Sequence, residues 1–526
     1  MDVIERTCCV VTVSDPLSDR RPGSCSGVIL NEPAGMVICS GLLFSRFFDG
    51  KETFSTDHGF LLPHSSTEKV NIHVHLSEHR DLDINQCAYE ASTVHRGSAT
   101  YHHKATAELM LLVNCLEFRR AFKSIFREAD KWHFHGSEED EELVRDSHLL
   151  SWFAVLKSSL VDGAPDSGTV PWLKSSSLQK GCSVIACGSP FGSLYLDLFS
   201  SALSKGIISN LAGEDNAVIF TDARCLPGTE GGGLFLQNGN RVHLVGLIVS
   251  PLCWKANEWI GLTLVCSVQL IVKHIMCSVK VQHPLKEIHF HKGASDLLNT
   301  TLTSENDKYP TVCLIDSGQF WGSGVVVSPQ LALTCRHVIS GKSFVTLRFS
   351  HRNRFTDVVG DVLFTTKASS PYDLALVKLR HPAPEVVVPR LAETVQPGED
   401  VVVVGYGALG RSCGPSMTCG ILSKVISWNY RPVMLQTTCA VQAGASGGAV
   451  VRARSGELLG IVSSNTRDFA TQVTYPHLNF SIPVTVFQPL LHRFNQTRDV
   501  EVFRALDATE EEVLRVWRLQ GAQSKL

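Results

Sequence analysis

Short apolar runs rich in valine and isoleucine recur along the whole chain, and glycine, proline and asparagine break them. That spacing predicts strands rather than helices. Asp373-Leu374-Ala375-Leu376-Val377-Lys378 reads as a strand opened by an aspartate, and Leu333-Thr334-Cys335-Arg336-His337-Val338 as a strand end that delivers a histidine. Many short strands separated by turn residues predict β-barrels rather than an α/β sheet. Helical patterns are few. One amphipathic stretch lies near 118–130, and Thr509-Glu510-Glu511-Glu512 reads as a capping box opening a helix through about Gln520.

The pattern is written twice. Gly322-Ser323-Gly324-Val325-Val326-Val327-Ser328-Pro329 has a partner in Cys25-Ser26-Gly27-Val28-Ile29-Leu30-Asn31-Glu32-Pro33. Gly405-Tyr406-Gly407 with Cys419-Gly420-Ile421-Leu422-Ser423 mirrors Gly188-Ser189-Pro190-Phe191-Gly192 with Lys205-Gly206-Ile207-Ile208-Ser209. Leu459-Gly460-Ile461-Val462-Ser463 mirrors Val245-Gly246-Leu247-Ile248-Val249-Ser250. The expected organisation is an N-terminal copy over 1–280 with a long insertion at about 49–147, a polar linker over 281–309, a C-terminal copy over 310–495, and a C-terminal helix and tail over 496–526.

The run Gln442-Ala443-Gly444-Ala445-Ser446-Gly447-Gly448-Ala449-Val450 carries the strongest chemistry. A serine between glycines allows a tight turn that presents Oγ and aims backbone N–H groups at one point. The candidate catalytic residues are His337, Asp373 and Ser446, whose chain order is that of the chymotrypsin-type triad. The candidate oxyanion hole is formed by the N–H groups of Gly444 and Ser446. In the N-terminal copy, aligned motifs put Leu42 in the histidine position, Trp152 in the aspartate position and Glu230 in the serine position. That copy is degenerate and cannot perform general-base catalysis. Leu42 and Trp152 read as core packing, Glu230 as a solvated or salt-bridged loop residue.

Composition narrows the setting. The chain has 526 residues, 44% hydrophobic and 19% charged, with ample core for two large β domains. A net charge of -3 gives no electrostatic case for nucleic acid, and no apolar run approaches the ~20 residues of a membrane span. The start lacks the pattern of a secretory signal. Seventeen cysteines show no metal-type pairing and read as buried, reduced thiols of a reducing compartment. His73, His75, His79, His95, His102 and His103 are expected to be ordinary solvated histidines, with no metal and no cofactor. The tripeptide Ser524-Lys525-Leu526 reads as a peroxisomal address, which predicts a matrix location and an import receptor as partner.

Asp222-Ala223-Arg224 followed by Pro227-Gly228-Thr229-Glu230-Gly231-Gly232 resembles the signature before the catalytic serine of HtrA/Deg proteases. Leu478-Asn479-Phe480-Ser481-Ile482-Pro483-Val484 resembles the strand that closes their protease barrel. With the C-terminal tripeptide, the chain resembles the peroxisomal branch related to the glyoxysomal Deg enzymes. The resemblance implies two chymotrypsin/HtrA-like double β-barrel domains in tandem, mostly β, without a PDZ domain. It implies a serine endopeptidase that removes N-terminal targeting presequences and processes enzymes of fatty-acid β-oxidation, cutting after cysteine, and a homo-oligomer. A non-catalytic or latent protease-like interaction protein stays open as the alternative.

In this fold the floor of the specificity pocket lies six residues before the serine, at Ala440, with Ser463 and Asn465 on its wall. No acid stands there to pair with arginine or lysine. A small, mildly polar pocket is expected, which a cysteine side chain fits. Cys115 and Cys87, within the insertion, are then candidate self-cleavage positions.

Overall fold

The structure is a computed structural model. It describes residues 2–16, 22–31, 35–47, 59–63, 70–79, 100–126, 132–134, 149–159, 171–239, 241–251, 253–255, 258–281, 308–351, 354–383, 385–468, 473–507 and 510–518.

Each copy of the repeat folds into two rings of antiparallel strands. In the C-terminal copy the first barrel runs Val312–Asp316, Trp321–Ser328, Leu331–Thr334, Ala375–Leu379, Arg354–Thr365, Phe344–His351 and closes on itself. The second runs Asp400–Gly405, Ser416–Trp428, Arg431–Thr437, Val473–Pro483, Leu458–Asp468, Ala449–Arg452 and also closes. Closure leaves no unpaired edge. Alternate residues of Phe344–His351 point into the first barrel, so Val345, Leu347 and Phe349 are buried and their neighbours are wetter. Val401 to Val404 are buried on both faces, because this strand also packs outside its barrel.

The N-terminal copy repeats the same circuit. Cys8–Ser14, Gly23–Asn31, Met36–Ser40, Trp152–Ser158, Thr100–Asn114 and Asn71–His79 pair in a ring. Ala202–Ala212, Val218–Thr221, Thr263–Ser267, Arg241–Ser250, Gly233–Asn238 and Ser183–Gly188 close a second. This corrects the reading of 49–147 as an insertion. Two of its segments, Asn71–His79 and Thr100–Asn114, are barrel strands that match Phe344–His351 and Arg354–Thr365. Among the described residues, what the N-terminal copy adds includes the helix Leu116–Ile125 after Asn114. Its Phe118, Phe122 and Ile125 are buried in the core shared with the helix Val268–Val281. Glu117 binds His274 at 2.5 Å and Lys273 at 2.9 Å across that contact.

The copies touch through their second barrels. Asp222 Oδ1 accepts from Ile207 N at 2.7 Å in its own copy, and Oδ2 accepts from Cys419 N at 2.5 Å in the other. Asn210 Nδ2 donates to Ser416 Oγ at 2.9 Å, and Lys180 Nζ to Pro415 O at 2.7 Å. Burial pushes the Lys180 ammonium down to about 8. After the last strand, Val484–Thr497 and Val500–Leu506 cover the C-terminal copy, and the expected terminal helix is present as Glu511–Arg518. Trp517 Nε1 anchors it to Val433 O at 3.1 Å. The linker region 282–307 and the tail with Ser524, Lys525 and Leu526 lie outside the described residues. Among the described residues all sixteen cysteines are free and no helix is long and apolar enough to cross a membrane.

Candidate active site

His337 and Asp373 come from neighbouring strands of the first barrel. Leu331–Thr334 ends just before the short helix Arg336–Ile339, and its Thr334 lies opposite Ala375 of the strand that follows Asp373. His337 Nδ1 is 2.6 Å from Asp373 Oδ2, and the His337 backbone N–H donates to Oδ1 at 3.1 Å. One residue thus engages both carboxylate oxygens, which fixes the ring and leaves Nε2 as the nitrogen for proton transfer. The carboxylate is 4% exposed. Arg336, which local sequence does not single out, lies with Nε 3.7 Å from Asp373 Oδ1. Its Nη1 reaches Thr366 Oγ1 at 3.2 Å and the carbonyl of Lys367. Thr366 Oγ1 also accepts from Leu374 N at 3.2 Å, so Arg336 and Thr366 together brace the loop that carries the aspartate.

Ser446 comes from the second barrel, in the turn before Ala449–Arg452. It is buried, and its Oγ donates to Ser463 O at 3.2 Å. The first barrel pins this turn. Ser323 N donates to Ser446 O at 2.8 Å, Ser323 Oγ donates to Gly444 O at 2.8 Å, and the same Oγ accepts from Tyr406 N at 2.8 Å. Sequence reasoning gave Ser323 no role; its signal was its presence, with Ser26, in the repeated Ser-Gly motif. Gly444 has φ +93°, and a Cβ there would lie 2.3 Å from Trp321 Cζ3. The N–H groups of Gly444 and Ser446 donate to no acceptor among the described residues.

The N-terminal copy reproduces this turn bond for bond. Ser26 N donates to Glu230 O at 2.9 Å, Ser26 Oγ donates to Gly228 O at 2.7 Å, and Ser189 N donates to Ser26 Oγ at 2.8 Å. Gly228 has φ +96°. Glu230 therefore stands where Ser446 stands. Strand register places the other two positions: Cys39 pairs with Gly27 as Thr334 pairs with Gly324, and Ala154 with Cys39 as Ala375 with Thr334. Counting outward, Leu42 is level with His337 and Trp152 with Asp373. Both pack in one apolar cluster.

Glu230 is not the solvated loop residue expected. The residue is half-buried and its carboxyl folds back into its own turn, where Oε2 accepts from Gly228 N at 2.7 Å and the carboxylate also takes the Glu230 N–H. Burial outweighs these bonds and pushes the group up to about 6. Two N–H groups equivalent to those of Gly444 and Ser446 thus hold an anionic oxygen within the same chain.

The pocket positions lie close behind. Ala440 is buried, its carbonyl accepting from Thr418 Oγ1 at 2.8 Å. Ser463 and Asn465 are buried on the strand Leu458–Asp468. Neither Oδ1 nor Nδ2 of Asn465 has a partner among the described residues. Of the candidate self-cleavage positions, Cys87 lies outside the described residues and Cys115 is fully buried with its N–H bound to Ser151 O at 2.9 Å, so the folded chain does not offer it to a protease. His73 and His75 sit on a barrel strand, His75 Nε2 3.1 Å from Thr12 Oγ1. Buried Cys313 and Cys439 are pushed up to about 12, which keeps them as thiols.

Residues 322–461 match the trypsin-like peptidase domain family. The peroxisomal leader peptide-processing protease of Mus musculus is 39% identical over 100% of this chain and 98% of its own. That of Homo sapiens is 38% identical over 99% and 97%. The chain belongs to the peroxisomal leader peptide-processing protease family. It is a peroxisomal protease with a trypsin-like peptidase domain. Among solved structures, the serine endoprotease from Yersinia pestis is 25% identical over 37% of this chain and 66% of that one, with a TM-score of 0.29. An HtrA-type protease with a tripeptide is 20% identical over 37% and 63%, with a TM-score of 0.31.

Proposed function

We propose that this protease removes N-terminal targeting presequences from proteins delivered to the peroxisome and processes enzymes of fatty-acid β-oxidation, cutting after cysteine. The observation that carries the catalytic part is the 2.6 Å contact between His337 Nδ1 and Asp373 Oδ2, in a barrel whose Ser323 holds the serine turn with its open N–H groups. In this reading Ser446 Oγ attacks the scissile carbonyl and His337 takes its proton through Nε2. His337 then gives the proton to the leaving amine, while Asp373 holds the tautomer and stabilises the imidazolium. The N–H groups of Gly444 and Ser446 receive the developing oxyanion, each worth about 3 kcal/mol by analogy with other serine proteases. The way Glu230 seats its carboxylate on the equivalent pair supports that assignment.

The relatives' name supports leader peptides as substrates. Preference for cysteine rests on Ala440, Ser463 and Asn465: no acid stands at the floor to pair with arginine or lysine, and the unpartnered Asn465 amide offers a polar contact to a small side chain. The tripeptide Ser524-Lys525-Leu526 is the proposed handle for the import receptor, and a homo-oligomer is the proposed assembly. The test is incubation of the full chain and of Ser446→Ala with a precursor bearing a leader peptide, read by mass spectrometry. Cleavage after cysteine that disappears in Ser446→Ala is expected. Cleavage that persists in the variant refutes the nucleophile, and cleavage at other residues refutes the pocket.

A further inference from the structure

We propose that the N-terminal copy builds the base of the C-terminal copy's specificity pocket, through the segment 258–261. This rests on the assignment of Ala440 as pocket floor. The segment includes the strand Glu258–Trp259, which pairs back on Cys253–Lys255 of its own copy and also lies against the specificity region of the other. Ile260 O accepts from Gln442 Nε2 at 2.5 Å, and both residues are buried. Gly261 has φ +67°, and a Cβ added to it would lie 3.1 Å from Ala440 Cβ and 3.2 Å from His477 Nε2. Trp259 meets the His477 ring edge-on at 5.4 Å between centroids, and Thr474 Oγ1 donates to Glu258 Oε1 at 3.0 Å.

His477 transmits this support. Its Nδ1 bonds Thr438 O at 3.0 Å, and its neighbour Pro476 accepts from Val441 N at 2.9 Å, so the pair braces 438–441 on both sides of Ala440. Across the copies the segment thus reaches Ala440, His477 that braces it, Gln442 two positions away, and Thr474. The backbone of one copy sets how far the floor of the other can recede. Trp259 and Gly261 are positioning residues for specificity; neither touches the triad. This gives the degenerate copy work that needs no triad of its own, and it suits glycine at 261: the φ is positive, and a Cβ there would press on Ala440 and His477.

The test uses the full chain with Trp259→Ala, Trp259→Phe and Gly261→Ala. Two peptides differ only at P1, one carrying the residue the wild type prefers and the other glycine, and kcat/KM is measured for each. A small fluorophosphonate without a P1 side chain reports the triad separately. Gly261→Ala and Trp259→Ala are expected to change the P1 selectivity ratio by about tenfold, the scale of one methylene in a pocket, with the labelling rate unchanged. Trp259→Phe, which keeps a ring on His477, is expected to restore most of the ratio. An unchanged ratio in both variants overturns the proposal. So does a parallel fall of both peptides and of labelling, which would show general damage; should Gly261→Ala not fold, the Trp259 pair decides alone. A wild type that does not prefer cysteine refutes the cysteine reading and leaves this pocket base testable on whichever residue is preferred.

Discussion

Ser446 and Glu230 occupy equivalent turns, and the turns treat them differently. The hydroxyl of Ser446 leaves its N–H pair open, whereas the carboxyl of Glu230 fills the pair beside it. The titration of Glu230 follows. Its usual value of 4.5 is pushed up to about 6 by burial, so the folded chain holds this proton more tightly than the unfolded chain. The stabilisation from that proton is full below 4.5 and is lost as pH rises through 6, an effect of at most about 2 kcal/mol. Glu230→Gln cannot ionise. It is expected to gain stability over wild type between pH 5 and pH 7.5, measured by denaturant unfolding at the two values. A difference independent of pH would show that the carboxyl does not titrate there.

The Ser446 turn works as an element because a strand from the other barrel holds it. Ser323 ties both Gly444 and Ser446 through their carbonyls, which holds the two ends of the turn that carries the open N–H groups. The ring of Trp321 fills the space where a side chain at 444 would go. Gly444→Ala is therefore expected to lower kcat by about a hundredfold, the scale of losing an oxyanion donor, with the fold retained. Adding Trp321→Ala is expected to recover part of the loss. No recovery would place the cost in the backbone angle alone. The Ser-Gly motif was legible in both halves of the sequence, but its bonds were not, since they join residues more than a hundred positions apart.

At the scale of the whole molecule, the two copies share one polar seam around Asp222. Its two oxygens take one backbone N–H from each copy, Ile207 and Cys419. Burial raises its pKa while those bonds oppose the rise. Asp222→Ala would leave both N–H groups without an acceptor, at about 1–3 kcal/mol each. A lower melting temperature is expected, with the single calorimetric transition splitting as the copies uncouple. An unchanged melt would mean that water replaces the carboxylate and that the seam is held by its other contacts. In the sequence Asp222 belongs to the motif before Glu230; its position in the fold makes it a joint between copies.

The strands, the repeat and the order His337, Asp373, Ser446 were readable because each depends on neighbours in sequence: a period of two, a glycine turn, a strand end. The degenerate positions Leu42, Trp152 and Glu230 were readable for the same reason, by laying one local motif on another. Two matters depended on tertiary structure. Asn71–His79 and Thr100–Asn114 are barrel strands only because distant partners complete their ring, so their polar, histidine-rich sequence looked like an insertion. The contacts proposed as the base of the pocket join 258–261 to 440, 442 and 477, residues brought together by the packing of one copy on the other. Local pattern encodes which way a side chain faces along its own strand. It does not encode which surface that face will meet.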